Sequence, residues 1–160
     1  MSVTIPTSAP AFSLDDHHGR THTYRFPRPL VTVLCFGDMV SAFQLASWIE
    51  PLYLKFRDQI DIVGIAAFRG VPDIFRELVR TSIEKLSPKE VLIDWDGEVS
   101  RAYGLTFGQC RVVVVAPDGT VVQAVNGTAT PATFRRVTDS IAGAMQETAA
   151  IQSASDENLA

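Results

Sequence analysis

The sequence predicts an α/β domain with a mixed central sheet, helices on both faces of the sheet and an N-terminal β-hairpin. Two observations carry this prediction. Short runs of β-forming apolar residues alternate with segments of helical periodicity, and this alternation demands parallel βαβ crossovers. Towards the C-terminus, two further apolar runs are separated only by a turn at Asp118-Gly119, which adds antiparallel strands.

The first half of the chain begins with the hairpin, predicted over residues 7–26 from a short strand, a polar turn and an alternating return strand. The apolar run from Leu30 to Phe36 predicts a strand that is buried on both faces. A helix follows from Val40 to Phe56, and Pro51 inside it predicts a kink or a split near Ser47. Its buried stripe is predicted to comprise Phe43, Ala46, Ile49, Leu52, Tyr53 and Phe56.

The second βα unit consists of a strand over residues 60–66 and a helix that begins near Pro72. Asp73 lies in the first turn of this helix, where a negative charge is favourable, and Ser87-Pro88 ends the helix. Its spacing predicts an apolar face made of Ile74, Phe75, Leu78, Val79, Ile83 and Leu86.

The remaining elements are shorter. Residues 91–94 predict a strand, residues 98–103 a helix capped by Gly104, and residues 111–115 and 120–125 the two strands of the closing hairpin. Thr130-Pro131 opens the last helix. We expect one domain over residues 1–148 and, because the composition turns to Ala, Ser, Gln and acids, a flexible tail over residues 149–160.

Composition excludes several functions. A net charge of -4 and a pI near 5.3 argue against nucleic acid as a partner. The chain has no run of about 18 apolar residues, so we expect no membrane span. The segment Met1–Pro6 lacks the basic start and apolar core of a secretory signal, so we expect a cytoplasmic protein. The oligomeric state stays open.

Cysteine and histidine usage predicts neither a metal site nor a cofactor. Cys35 and Cys110 are far apart and form no metal or disulfide signature. The three histidines, His17, His18 and His22, lie in the polar turn of the hairpin, with no cluster of Cys or Glu close to them in sequence.

Four segments resemble the redoxin branch of the thioredoxin superfamily, the alkyl-hydroperoxide-reductase and thiol-specific-antioxidant (peroxiredoxin-like) type. Together they span Ala9 to about Ala144, and the resemblance implies a thioredoxin-like fold. The segments are Ala9-Pro10-Ala11-Phe12-Ser13-Leu14 with Gly19, the strand over residues 31–36, the run from Val91 to Leu105, which contains Asp94, Gly97 and Tyr103-Gly104, and the hairpin over residues 111–122.

The catalytic motifs of this family do not carry over. Where its members have the two cysteines of Cys-x-x-Cys, this chain has Ser41 and Gln44, following Asp38 in the turn. A hydroxyl and an amide cannot exchange with a disulfide, because the nucleophile is a thiolate. The family's cis-proline position is taken by Cys110, and a cis bond before a residue other than proline costs about 2.5–4 kcal/mol. We therefore predict a trans bond before Cys110.

Two interpretations of Cys110 remain. In the implied fold it faces the N-terminus of the helix near Ser41, where a thiol pKa falls, so a single exposed thiol could react with a peroxide. Alternatively, it only fills the space of the missing proline. Cys35 is predicted to be buried and inert, and too displaced from Cys110 for a disulfide.

Ser41 also has several interpretations. It is predicted to cap the helix, and hydrolysis is disfavoured because no histidine is near to act as its base. The helix start could instead bind an anion or a partner's carboxylate, with Ser41 and Gln44 as donors. Met39, Phe107 and Trp95 could add apolar surface around this site, although Trp95 could equally pack over the strand edge.

Two classes of function follow. The first is a non-redox module with a degenerate active site (Asp38, Ser41, Gln44, Cys110) that binds a protein or peptide partner in the groove implied by the resemblance. The second is a one-thiol peroxidase or oxidoreductase with antioxidant activity that uses Cys110. We favour the first, since it needs no chemistry that the residues fail to supply. Fold alone cannot decide, because one fold hosts many activities.

Overall fold

The computed structural model describes residues 7–159. Its strands are β1 (Phe12–Asp16), β2 (Thr21–Tyr24), β3 (Thr32–Asp38), β4 (Asp61–Ala67), β5 (Val91–Asp94), β6 (Arg111–Val115) and β7 (Val121–Asn126). Its α-helices are α1 (Ala46–Phe56), α2 (Arg76–Leu86), α3 (Glu98–Ala102) and α4 (Pro131–Asn158). The strands form one sheet in the order β2-β1-β5-β4-β3-β6-β7.

The sheet is mixed, as predicted. Strands β3, β4 and β5 are parallel, while β6 runs antiparallel to β3 and β1 runs antiparallel to β5. The carboxyl ends of β3, β4 and β5 therefore lie at the same edge of the sheet as the start of β6. This edge is where the chain leaves β3 for α1 and where it returns to enter β6.

Each face of the sheet has its own apolar core. On one face α1 and α4 cover β3 and β6, with Trp48, Leu52, Val137 and Ile141 fully buried. On the other face the buried side chains come from the N-terminal hairpin, the central strands and the residue after α3. They include Phe12, Tyr24, Leu34, Phe36, Leu92, Tyr103 and Val113.

The segment after β3 splits into two helices, which is one of the two outcomes predicted from Pro51. A 3-10 turn, Ala42–Leu45, precedes α1, so the break falls next to Ser47. Pro51 lies inside α1, where it removes one backbone donor. The stripe of α1 that enters the core is Trp48, Leu52 and Phe56.

The predicted apolar face of α2 is wrong at four of its six positions, since Ile74, Phe75, Leu78 and Leu86 are exposed. No residue of α2 is fully buried. The half-buried positions are Arg76, Val79, Arg80 and Ile83. The guanidinium carbons of Arg76 and Arg80 lie 4.9 and 5.7 Å from the centroid of the Trp95 ring. These cation–π contacts hold the side of the helix that carries Arg76 and Arg80 against the domain. The spacing of apolar residues does not predict this orientation. Trp95 thus packs beneath α2.

The last helix is longer than predicted. It begins at Pro131. Thr130 is its N-cap, and the side chains of Thr130 and Thr133 form a capping box. It then continues to Asn158, so residues 149–158, which were expected to form a flexible tail, are helical. Their flexibility stays a prediction. The Ala, Ser, Gln and Glu residues there include no helix breaker. Residues 149–159 are all exposed.

Some predictions fall on parts of the chain that the structure does not address. The first six residues, on which the prediction about a signal peptide rests, and Ala160 lie outside the described residues. Within residues 7–159, no helix combines the length and the apolar character needed to cross a membrane. The cytoplasmic location stays a prediction.

Candidate functional site

The candidate site lies where the turn after β3 meets the loop before β6. The two strands are antiparallel neighbours, with Phe36 opposite Arg111, so the end of one adjoins the start of the other. The backbone N–H of Gly108 donates to Asp38 Oδ2 at 2.6 Å, and that of Cys110 donates to Gln44 Oε1 at 3.0 Å. The structure therefore brings together all four positions predicted from the sequence.

The Asp38 carboxylate is the centre of this arrangement. Besides Gly108, it accepts hydrogen bonds at Oδ1 from the N–H groups of Val40 and Ser41 and from the Ser41 hydroxyl, at 2.8–2.9 Å. Burial by itself raises the pKa of Asp38, but these hydrogen bonds outweigh it and hold the pKa below its usual value. Asp38 is thus an ionised anchor that ties the turn to the loop. The Asp38-x-x-Ser41 spacing after a strand is the sequence signal for this role.

Ser41 is fully buried, at 0% exposure. Its hydroxyl donates to Asp38 Oδ1 and accepts from the Asp38 N–H at 3.0 Å, and it bonds no helix N–H. The prediction that it caps the helix is therefore wrong, because the hydroxyl is turned back to Asp38, to which it donates its proton and from whose N–H it accepts. The hydroxyl is equally unavailable to an anion. The histidines lie on the other side of β4 and β5, so Ser41 has no base.

Cys110 is also fully buried, which supports the interpretation that it fills space in the core over that of an exposed thiol. Its Sγ donates to the carbonyl oxygen of Gly127 at 3.2 Å, and Trp48 Nε1 donates to the same oxygen at 2.8 Å. Burial raises the pKa of the Cys110 thiol. The thiol is buried because the Cys110 side chain belongs to the core beneath α1, together with Cys35 and Trp48, and does not point at the start of the helix.

Three further predictions about the cysteines are confirmed. Cys35 is buried, and burial raises the pKa of its thiol to about 12. Both cysteines are free, and Cys35 lies opposite Val112, two residues beyond Cys110. Within residues 7–159 the one cis peptide bond precedes Pro27, so the bond before Cys110 is trans.

Arg111 is a buried charge that the sequence analysis missed. It is 3% exposed, and it donates from Nε to the Tyr103 carbonyl at 2.6 Å and from one terminal nitrogen to Asn126 Oδ1 at 2.8 Å. Burial lowers the pKa of its guanidinium. The sequence pattern that could have predicted it is an arginine directly before a run of four valines, residues 112–115. Its contacts join the end of α3 to β7 beside the site.

Above these buried groups lies an exposed apolar surface, here called the rim, which consists of Met39, Val40, Phe43 and Phe107. Phe43 is 76% and Phe107 79% exposed, and Met39 and Val40 are more than half exposed. The prediction that Phe43 is buried is wrong, because it belongs to the 3-10 turn and not to the inward stripe of α1. The hydrogen bond from Gly108 to Asp38 holds the two segments of the rim together.

Several solved structures share the fold of this chain. The first structure is a candidate thiol:disulfide interchange protein DsbE from Chlorobium tepidum, with a TM-score of 0.66 and 17% identity over 90% of this chain and 99% of that one. The fold is thioredoxin-like. A candidate protein disulfide isomerase from Bacteroides thetaiotaomicron (TM-score 0.64, 19% identity, 87% and 91% covered) agrees. So does a candidate thioredoxin from Neisseria meningitidis (TM-score 0.58, 22% identity, 86% and 91% covered).

The other comparisons identify no family for this chain within the thioredoxin-like fold. No family model matches the chain, and no curated protein matches it. The thioredoxin-like fold is shared with proteins described as thiol–disulfide enzymes, whereas the two cysteines of this chain are unpaired. The finer resemblance to the peroxidase branch stays a prediction.

Proposed function

We propose that this thioredoxin-like domain is a non-redox binding module whose rim holds an apolar segment of a protein or peptide partner. The observation that carries the proposal is the contrast in exposure at the site. Ser41 and Cys110 are fully buried, while the four apolar side chains of the rim, Met39, Val40, Phe43 and Phe107, are exposed. Exposed apolar patches of this kind mark interaction surfaces in soluble proteins.

Thiol chemistry is not supported by the same site. The exposed positions of the turn after β3 are Met39, Val40, Ala42 and Phe43, and none of them carries a thiol. Exchange with a disulfide needs an accessible thiolate. The rim therefore offers a partner contact area without a nucleophile.

The backbone of Cys110 constrains how a partner binds. Its N–H donates to Gln44 Oε1, and its carbonyl accepts from the Gly127 N–H at 2.8 Å. Both groups are thus used within the domain, so a bound segment gains no main-chain hydrogen bonds from this residue. Recognition rests on apolar side chains packed against Phe43 and Phe107, each of which can bury on the order of 150–200 Å².

The double substitution Phe43→Ser with Phe107→Ser tests this proposal. We expect it to weaken binding of fluorescent, cysteine-free peptides with alternating apolar side chains by about tenfold or more, because aromatic anchors dominate such interfaces. Fluorescence anisotropy measures the affinity. Ile151→Ser is the matched control, since it removes an exposed apolar side chain from α4 and should leave binding unchanged. Equal affinity of the wild type and the double variant would refute the proposal.

The alternative, a one-thiol peroxidase that uses Cys110, predicts a different result. Because Cys110 is buried and its thiol pKa is raised, we expect peroxide consumption with a thiol reductant to stay at background in the wild type and in Cys110→Ser. Alkylation of Cys110 should likewise be slow in the folded protein. Peroxide turnover that is lost in Cys110→Ser would show that the protein is a one-thiol peroxidase and would refute the proposal of a non-redox binding module.

A further inference from the structure

Asp16, His22 and Glu90 form a cluster of metal-ligating side chains at β2, β1 and β5, whereas the rim lies beside β3 and β6. Asp16 is on β1, His22 is on β2, and Glu90 directly precedes β5. His22 Nε2 lies 2.7 Å from Asp16 Oδ2 and 3.9 Å from Glu90 Oε2. One ligand atom from each of the three residues lies within 4.8 Å of the other two. Glu90 is remote from the histidines along the chain, so the sequence shows no Glu close to them.

The strand register explains why the three side chains share a face. His22 on β2 is opposite Leu14 on β1, and Leu14 is two residues before Asp16. Asp16 is opposite Leu92 on β5, and Glu90 is two residues before Leu92. Because side chains two residues apart project from the same face of a strand, the register aligns all three ligands.

Asp16 is held in an orientation that suits a ligand. It is 1% exposed, and its Oδ1 accepts hydrogen bonds from the N–H groups of His18 and Arg20 at 2.8 and 3.0 Å, which directs Oδ2 towards His22. Asp16 is thus held in place by backbone hydrogen bonds, as outer hydrogen bonds position metal ligands.

We propose that Asp16, His22 and Glu90 form a binding site for a divalent transition-metal ion of the Zn²⁺ type. The ion is bound through Asp16 Oδ2, His22 Nε2 and a carboxylate oxygen of Glu90, and water completes its coordination. An imidazole with two carboxylates suits Zn²⁺ and similar ions, whereas Mg²⁺ and Ca²⁺ prefer oxygen alone.

The geometry requires only small adjustments. Bonds of about 2.1 Å in a tetrahedral site separate ligand atoms by about 3.4 Å, and the observed separations of 2.7 and 3.9 Å lie on either side of this value. The Glu90 side chain is 49% exposed and free to shift. Its ion pair with Arg20, at 3.6 Å between exposed groups, is a weak competitor. When the ion binds, Nε2 gives up the proton it shares with Asp16, to Nδ1 or to solvent.

Two of the three ligands are accessible, while the Asp16 side chain is 0% exposed. His22 and Glu90 line an open pocket of about 390 Å³, together with Tyr24, Lys89 and Leu92. The Lys89 ammonium is directed away, since it lies 3.2 Å from the centroid of the Tyr53 ring. The pocket gives the ion a route from solvent and room for its water ligands.

Calorimetric titration of tag-free protein with zinc chloride tests the site. We expect one Zn²⁺ per chain and a thermal unfolding midpoint that rises with the ion, since a ligand of the folded state stabilises it. Glu90→Gln and His22→Gln should each weaken binding by about tenfold or more, and His18→Gln, which removes a neighbouring histidine outside the cluster, should not. Magnesium chloride should give no binding.

Several outcomes would overturn the site. They are the absence of saturable Zn²⁺ binding, an unchanged affinity in Glu90→Gln, a loss in His18→Gln as large as in His22→Gln, or equal binding of Mg²⁺. Because Glu90 is half exposed, its variant should fold even if His22→Gln does not, and it decides the question in that case. The rim does not enter this test, so its result is separate from that for partner binding.

Discussion

Replacing Trp48 with alanine should lower the free energy of unfolding by about 3–5 kcal/mol, the range for truncating a large buried aromatic side chain. Trp48 is 0% exposed in the core between α1 and the sheet, and its indole N–H is bonded to the Gly127 carbonyl. The variant opens a cavity and removes that hydrogen bond. Single domains are stable by about 5–15 kcal/mol, so a large part of the stability would be lost. Chemical denaturation measures the change.

Two control variants separate the causes. Trp95→Ala makes the same truncation at a half-buried tryptophan beneath α2 and should cost clearly less. Trp48→Phe keeps most of the volume and loses the N–H, so we expect a loss of about 1–2 kcal/mol. A Trp48→Ala loss no greater than that of Trp95→Ala would contradict the structure of this core.

Replacing Asp38 with alanine should cost about 3 kcal/mol and loosen the rim. The buried carboxylate accepts four hydrogen bonds, from the N–H groups of Val40, Ser41 and Gly108 and from the Ser41 hydroxyl. Its removal leaves buried donors without a partner, and each such donor costs about 1–3 kcal/mol before the chain relaxes. Since Gly108 follows Phe107, peptide binding should weaken as well. Denaturant unfolding and anisotropy measure the two effects.

The control for Asp38 is Asp118, an exposed carboxylate that accepts a hydrogen bond from the Thr120 N–H in the β6–β7 turn. Asp118→Ala should cost less than about 1 kcal/mol. The pH dependence has a defined sign. Because the folded state lowers the pKa of Asp38, its contribution is complete above the unfolded pKa, near 3.9, and is lost as the pH falls through the folded value. Asp38→Asn should therefore flatten the acid limb of the stability curve. An acid limb as steep as that of the wild type would refute the role of Asp38.

The two halves of the site thus have different tasks. Asp38, Ser41, Gln44 and Cys110 hydrogen-bond one another or the neighbouring backbone and hold the turn after β3 against the loop before β6. The apolar side chains above them remain free. At the edge where β3 ends and β6 begins, this chain has an internal polar anchor and an exposed apolar surface.

What the sequence by itself determined is the architecture and the absence of a cysteine pair. Alternating strands and helices, the Asp118-Gly119 turn and the Thr130-Pro131 start are local signals, and the sheet, its last hairpin and α4 follow them. These signals work because secondary structure depends on residues close together in the chain. The positions of Cys35 and Cys110 likewise exclude Cys-x-x-Cys without any structure.

Tertiary structure alone decided which side chains meet and which face solvent. The apolar spacing of α2 is real, yet its contacts with Trp95 leave Leu78 exposed. Cys110 is buried because its side chain lies on the same sheet face as Cys35, and Glu90 reaches His22 only through the pairing of β1 with both β2 and β5. Such contacts join residues that are distant along the chain, so their burial and chemistry follow from strand register and helix orientation, which local periodicity does not contain.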